Sequence, residues 1–133
     1  MRQIKFDIVP YPAPRMTRSD KWKTDINHPD PKKRQRLCVH KYFKFREELG
    51  WLCKKNNYTL GEKLNIVFVL PMPETWSNKK KAAMENEPHK NKPDLDNLCK
   101  AFADSFGKDD GFVYMINAAK YWGHKGSITI TEL

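Results

Sequence analysis

The chain is expected to fold as a small single-domain α+β protein, residues 1–133, with a mixed sheet and helices packed on one face. Three observations lead there. The N-terminus alternates apolar and polar residues, the run 64–70 is almost wholly apolar and β-branched, and two stretches repeat apolar residues at helical spacing. With 133 residues, 39% hydrophobic and 12% aromatic, the chain is long and apolar enough to bury a core.

Residues 3–9 (Gln-Ile-Lys-Phe-Asp-Ile-Val) read as a half-buried strand, ended by Pro10-Tyr11-Pro12-Ala13-Pro14, because proline cannot donate to a ladder. From Arg15 to about Lys33 the chain is polar and basic, interrupted by Pro29 and Pro31; a loop of that length is usually functional. Cys38, Tyr42, Phe45, Leu49 and Leu52 follow a 4-3-4-3 spacing and predict one face of a helix. Leu64–Leu70 predicts a central strand covered on both faces, stopped by Pro71 and Pro73. Ser77 is placed to cap a short helix reaching Met84, and Glu85–Asn91 is too polar for core. A second amphipathic helix is expected from about Leu95 to Phe106, with Leu95, Leu98, Phe102 and Phe106 inward and Gly107 ending it. Phe112–Trp122 and Ser127–Thr131 read as strands, with Gly123-His124-Lys125-Gly126 as the turn joining them.

Charge narrows the function. Lys plus Arg number 25 against 16 Asp plus Glu, a net charge of +9, which points to a polyanionic partner. Arg15, Arg18, Lys21, Lys23, Lys32, Lys33, Arg34 and Arg36 crowd the first third of the chain, as a nucleic-acid contact would require. Cys38, Cys53 and Cys99 lack metal-ligand spacing; Cys38 and Cys53 on one helix would stand about 22 Å apart, too far for a disulfide. Free thiols suit a reducing cytoplasm. No apolar run approaches the length of a membrane span, so no membrane partner is expected.

Against this basic background stands an acidic cluster. The chain reads Lys92-Pro93-Asp94-Leu95-Asp96-Asn97-Leu98-Cys99-Lys100, with Asp104 further along and then Asp109-Asp110. If a helix starts near Leu95, Asp94 is its N-cap and Asp96 lies in its first turn, with Lys100 one turn on along the same face. Asp109 or Asp110 could be returned to the helix start by a turn at Gly107. Three hard oxygen donors with water completing the shell suit Mg²⁺, or Mn²⁺ in its place. Spacing alone leaves a plainer reading equally open. Asp94 can be only a cap, Asp96 a charge favoured by the helix dipole, Lys100 an ion-pair partner of Asp96 or Asp104, and Asp109-Asp110-Gly111 an ordinary turn.

The run Lys92-Pro93-Asp94-Leu95-Asp96-Asn97-Leu98-x-Lys100-Ala101, followed by Asp104 and Asp109-Asp110, resembles the RusA family of Holliday-junction resolvases, of phage or prophage type. The resemblance covers most of the chain. It implies that Asp94, Asp96 and Asp110 bind Mg²⁺ and that Lys100 is catalytic, with Asp109 and Asn97 as possible additional site residues. It implies a homodimer that resolves four-way DNA junctions by paired symmetric nicks leaving 5′-phosphate ends, in the cytoplasm of a bacterial host. Arg15, Arg18, Lys21, Lys23, Lys90 and Lys92 are the candidate DNA contacts; Trp22 and Trp76 could stack on opened bases or simply pack. Two alternatives follow from the same residues: a nuclease preferring other branched or single-stranded DNA, and a basic nucleic-acid-binding module without catalysis.

Overall fold

A computed structural model describes residues 2–106 and 111–132. Its elements run β1 (Arg2–Phe6), a 3-10 turn (Arg18–Lys21), α1 (Leu37–Lys55), β2 (Lys63–Pro71), α2 (Asn78–Met84), α3 (Leu95–Asp104), β3 (Met115–Gly123) and β4 (Ser127–Glu132). The strands form one mixed sheet in the order β1-β4-β2-β3. Pairing is antiparallel between β1 and β4 and between β4 and β2, and parallel between β2 and β3. A parallel pair needs a long crossover, and the segment carrying α2 and α3 supplies it. The expected α+β class, with a mixed sheet, is observed.

The core forms where one face of the sheet meets α1 and α3. Leu64, Ile66, Phe68 and Leu70 alternate inward along β2 and join Ile4, Phe6, Ile128 and Ile130 from the flanking strands. Tyr42, Phe45, Leu49 and Cys53 of α1 and Leu98, Cys99, Ala101 and Phe102 of α3 close over them. The inward stripe of α1 differs from the expected one, since Val39 and Cys53 are buried whereas Cys38 and Leu52 are only partly so. Both stripes share Tyr42, Phe45 and Leu49, and apolar spacing does not say which flanking residues complete them.

Strand β2 is not covered on both faces as expected. Asn65, Val67 and Val69 remain half-buried because the helices pack on the other side. Strand β1 ends at Phe6, although Ile8 beyond it is still buried. Strand β3 begins only at Met115; Phe112 and Val113, expected in the strand, instead lie partly buried against the core. Helix α3 stops at Asp104, where the N–H groups of Ser105 and Phe106 bond to Phe102 and Ala103 in a tightened last turn. The expected stop at Gly107 lies outside the described residues. Helix α2 begins as expected, with the Ser77 side chain accepting from the Lys80 N–H.

Gly123–Gly126 joins two strands that are not neighbours, since β2 lies between them. The connection passes closely over Val9 and Val69. A Cβ at Gly126 would stand 2.7 Å from Val9 Cα, and one at Gly123 would stand 2.4 Å from Val69 Cγ1. The glycines are therefore needed for close approach. Residues 85–91 also depart from expectation, because His89 is buried. The Asn86 and His89 N–H groups donate to Trp122 and Lys120 carbonyls, and Trp122 N–H donates to Glu87. This segment covers the C-terminal half of the β3 edge, which would otherwise be open to another strand.

Candidate active site

The acidic motif begins where that edge segment turns into α3. Lys120 on β3 donates from Nζ to the carbonyls of Asn91 and Pro93, the latter at 2.6 Å. Its ammonium thus gathers the backbone immediately before Asp94. Asp94 takes the N-cap position with extended backbone, yet its side chain makes no capping hydrogen bond. That outcome disfavours the plain-cap reading and leaves an exposed carboxylate at the helix start.

Asp96, in the first turn, and Lys100, one turn later, are both exposed and line the same cleft, of about 680 Å³. Asp104 follows on that wall, while Val113, Ile116 and Ala118 supply an apolar wall opposite. Among the described residues Lys100 pairs with neither Asp96 nor Asp104. Asp104 is held elsewhere: Tyr42 Oη donates to its Oδ2 at 3.2 Å, and Arg46 Nη2 donates to its backbone oxygen at 2.9 Å. It ties α3 to α1. Cys99 also lines the cleft, and burial and then the Asp96 charge push its thiol pKa up, away from the reactive thiolate form.

Asn97 is half-buried, and its carbonyl accepts the Ala13 N–H at 3.2 Å. This bond roots the N-terminal basic loop on the first turn of α3. Arg15, two residues beyond Ala13, is therefore held within about 7 Å of it along the chain. Arg15, Arg18 and Lys21 are exposed and Lys23 is partly so; Lys90 and Lys92 lie exposed on the approach to Asp94. Lys90 and Lys92 precede Asp94 directly in the chain, and the Ala13–Asn97 bond fixes the start of the basic loop beside α3.

Asp109 and Asp110, the expected third carboxylate donors, lie outside the described residues. Among the described residues no three His, Cys, Asp or Glu side chains stand together as a metal cluster. Asp94 and Asp96 nevertheless suit Mg²⁺, which often takes only one or two carboxylates and fills its remaining positions with water and phosphate oxygens. Both carboxylates are hard donors, and among the described residues neither is taken by a salt bridge.

Two groups escaped the sequence reading. Lys120 gives a faint signal as a lysine following two alanines within a strand, but only the structure shows what it holds. Asp20 gives less. It sits buried inside the basic loop, accepting from Thr17 N–H at 2.8 Å, from Thr17 Oγ1 at 2.9 Å and from Arg36 Nε at 3.0 Å. The Arg36 hydrogen bonds, then that from the Thr17 backbone, hold its carboxyl well below the usual carboxylate range.

A family model described as Endodeoxyribonuclease RusA matches residues 7–131. No curated protein matches the chain.

Proposed function

The chain belongs to the RusA family of Holliday-junction endodeoxyribonucleases, and from that premise we propose that it resolves four-way DNA junctions by paired, symmetric, Mg²⁺-dependent nicks. The observation that carries this reading is that Asp96 and Lys100 line one cleft, on the helix whose N-cap residue Asp94 makes no side-chain capping bond. The residues proposed to hold the ion are Asp94, Asp96 and Asp110, with Mn²⁺ as a possible substitute. Bound there, the ion would neutralise phosphate charge and make water a stronger acid.

The protein groups do the rest by position and charge. Lys100, a compact ammonium without a described ion-pair partner, is aimed at the extra negative charge that develops on a phosphate under attack. Val113, Ile116 and Ala118 line the same cleft and offer apolar surface to the sugar and base beside the phosphate. Arg15, Arg18, Lys21, Lys23, Lys90 and Lys92 bind the phosphate backbone without reading sequence. Lys120 and the Ala13–Asn97 bond hold the start of α3 in place against the entering strand.

Residues 1–133 act as one endonuclease unit in this account. A four-way junction has approximate two-fold symmetry, so two matched cuts call for a C2 homodimer with one site in each protomer. Among the described residues no helix is long and apolar enough to cross a membrane; the proposed place of action is the bacterial cytoplasm, where the DNA is. The test is a substrate comparison in Mg²⁺, with end-labelled four-way junction, flap, single strand and linear duplex on denaturing gels. Symmetric nicks in opposing junction strands, with linear duplex left intact, are expected. Equal cutting of all four substrates would overturn junction selectivity.

A further inference from the structure

Trp22 is 78% exposed in the basic loop, with Lys21 Nζ over its ring and Lys23, Lys32 and Lys33 lining the cleft beside it. We propose that residues 15–36 form a pre-folded DNA arm on which Trp22 stacks against an unpaired base, and that buried Asp20 is the positioning residue that holds the ring out. The inference rests on DNA as the substrate.

The arm has an internal frame. Asp20 lies two residues before Trp22, within the 3-10 turn Arg18–Lys21, and the Trp22 N–H closes that turn on Ser19. Arg36, the residue before α1, donates from Nε and Nη2 to Asp20 and from Nη2 to the Arg15 carbonyl at 2.9 Å. One guanidinium therefore joins the two ends of the loop to its middle. An ion pair with one partner exposed, as Arg36 is, is a weak source of net stability. What this one does is fix geometry, and the geometry it fixes presents Trp22.

The surroundings match a strand with an unstacked base. Lys21 Nζ lies 5.3 Å from the Trp22 ring centroid. A cleft of about 360 Å³ beside the ring is lined by Lys23, Lys32 and Lys33, with Asp25 as the one carboxylate. The Asp25 side chain accepts the Asn27 N–H at 2.9 Å and its carbonyl accepts the Gln35 N–H at 3.0 Å, so it serves the loop's own fold. Ammonium groups around an exposed indole are the elements of single-strand recognition: charge for the phosphates and a π-face for the base. The arm is rooted on α3 by the Ala13–Asn97 bond, nine residues before Trp22.

The test measures binding in EDTA, so that it does not depend on cleavage. The probes are a twelve-residue oligothymidylate and a four-way junction carrying 2-aminopurine beside the crossover, each with a linear duplex for comparison. Trp22→Ala is expected to weaken oligothymidylate binding about 5- to 150-fold, the range for losing one stacked base, while Trp22→Phe restores most of it. Trp51→Ala, which removes the 73%-exposed tryptophan of α1, is expected to leave binding unchanged. Asp20→Asn separates geometry from charge. It makes the arm more positive, so electrostatics alone predicts tighter binding, whereas a positioning role predicts weaker binding. The loss should also vanish in a Trp22→Ala background. Unchanged binding by Trp22→Ala, or tighter binding by folded Asp20→Asn, overturns the proposal. So does a Trp22-dependent self-association without DNA, which would make the ring an interface between copies. If the junction is bound through Trp22 but not cut in Mg²⁺, the nuclease reading fails and the arm stands.

Discussion

Replacing Lys120 by Met keeps the aliphatic stem and removes the ammonium that binds the Asn91 and Pro93 carbonyls. Charged hydrogen bonds are each worth about 1.5–3 kcal/mol when fully made. This group is only partly buried, so water replaces part of the loss and about 1–3 kcal/mol in total is expected. Most of that cost falls on the segment leading into Asp94 rather than on the core. The unfolding midpoint should drop by several degrees. Turnover of a four-way junction should fall by about a hundredfold, as a displacement near 1 Å at a reactive centre can cause. The assay is single-turnover cleavage at saturating protein, with Kd from anisotropy at several salt concentrations. Positioning predicts a lower rate with little change in Kd or in its salt dependence. A normal rate together with a salt slope reduced by about one would refute the reasoning, because it would make Lys120 a phosphate contact.

Two further predictions test the frame. Gly126→Ala places a methyl group against the Val9 backbone and should cost about 1–3 kcal/mol in urea unfolding; an unchanged midpoint would contradict the close crossing. His89, buried against Trp122 with ring centroids 4.0 Å apart, has its pKa lowered by burial first and then by Lys120. The unfolded chain therefore binds a proton near pH 6.5 that the folded chain resists. Stability should be level above that pH and decline as the solution is acidified below it. His89→Leu should flatten that part of the curve, measured by urea unfolding between pH 5 and 8.

Much of the fold was legible because local chemistry and tertiary structure agree. Helix α3 combines a strongly amphipathic pattern with Asp94 at its start, and β2 combines β-branched residues with proline stops. Strand order was not legible, since alternation says which residues face inward but not which strands lie side by side. Gly123–Gly126 looked like a turn and instead carries the chain past β2. The candidate site was legible where its residues are close in sequence, as with Asp94, Asp96 and Lys100. It was hidden where partners are distant: Lys120 is 27 residues from Pro93, and Arg36 is 16 from Asp20. The burial of His89 is not legible in its polar sequence neighbours, because it comes from pairing with β3.

The central claim is that the aspartates at the start of α3 serve catalysis while the basic surface serves binding. Asp96→Asn separates the two, since it keeps the shape and removes one negative charge. Junction binding and Mg²⁺-dependent nicking should be measured side by side on this one variant. The account predicts binding as tight as the parent or tighter, with nicking reduced by orders of magnitude. Nicking at the parent rate would contradict it and return Asp96 to the role of a charge at a helix end.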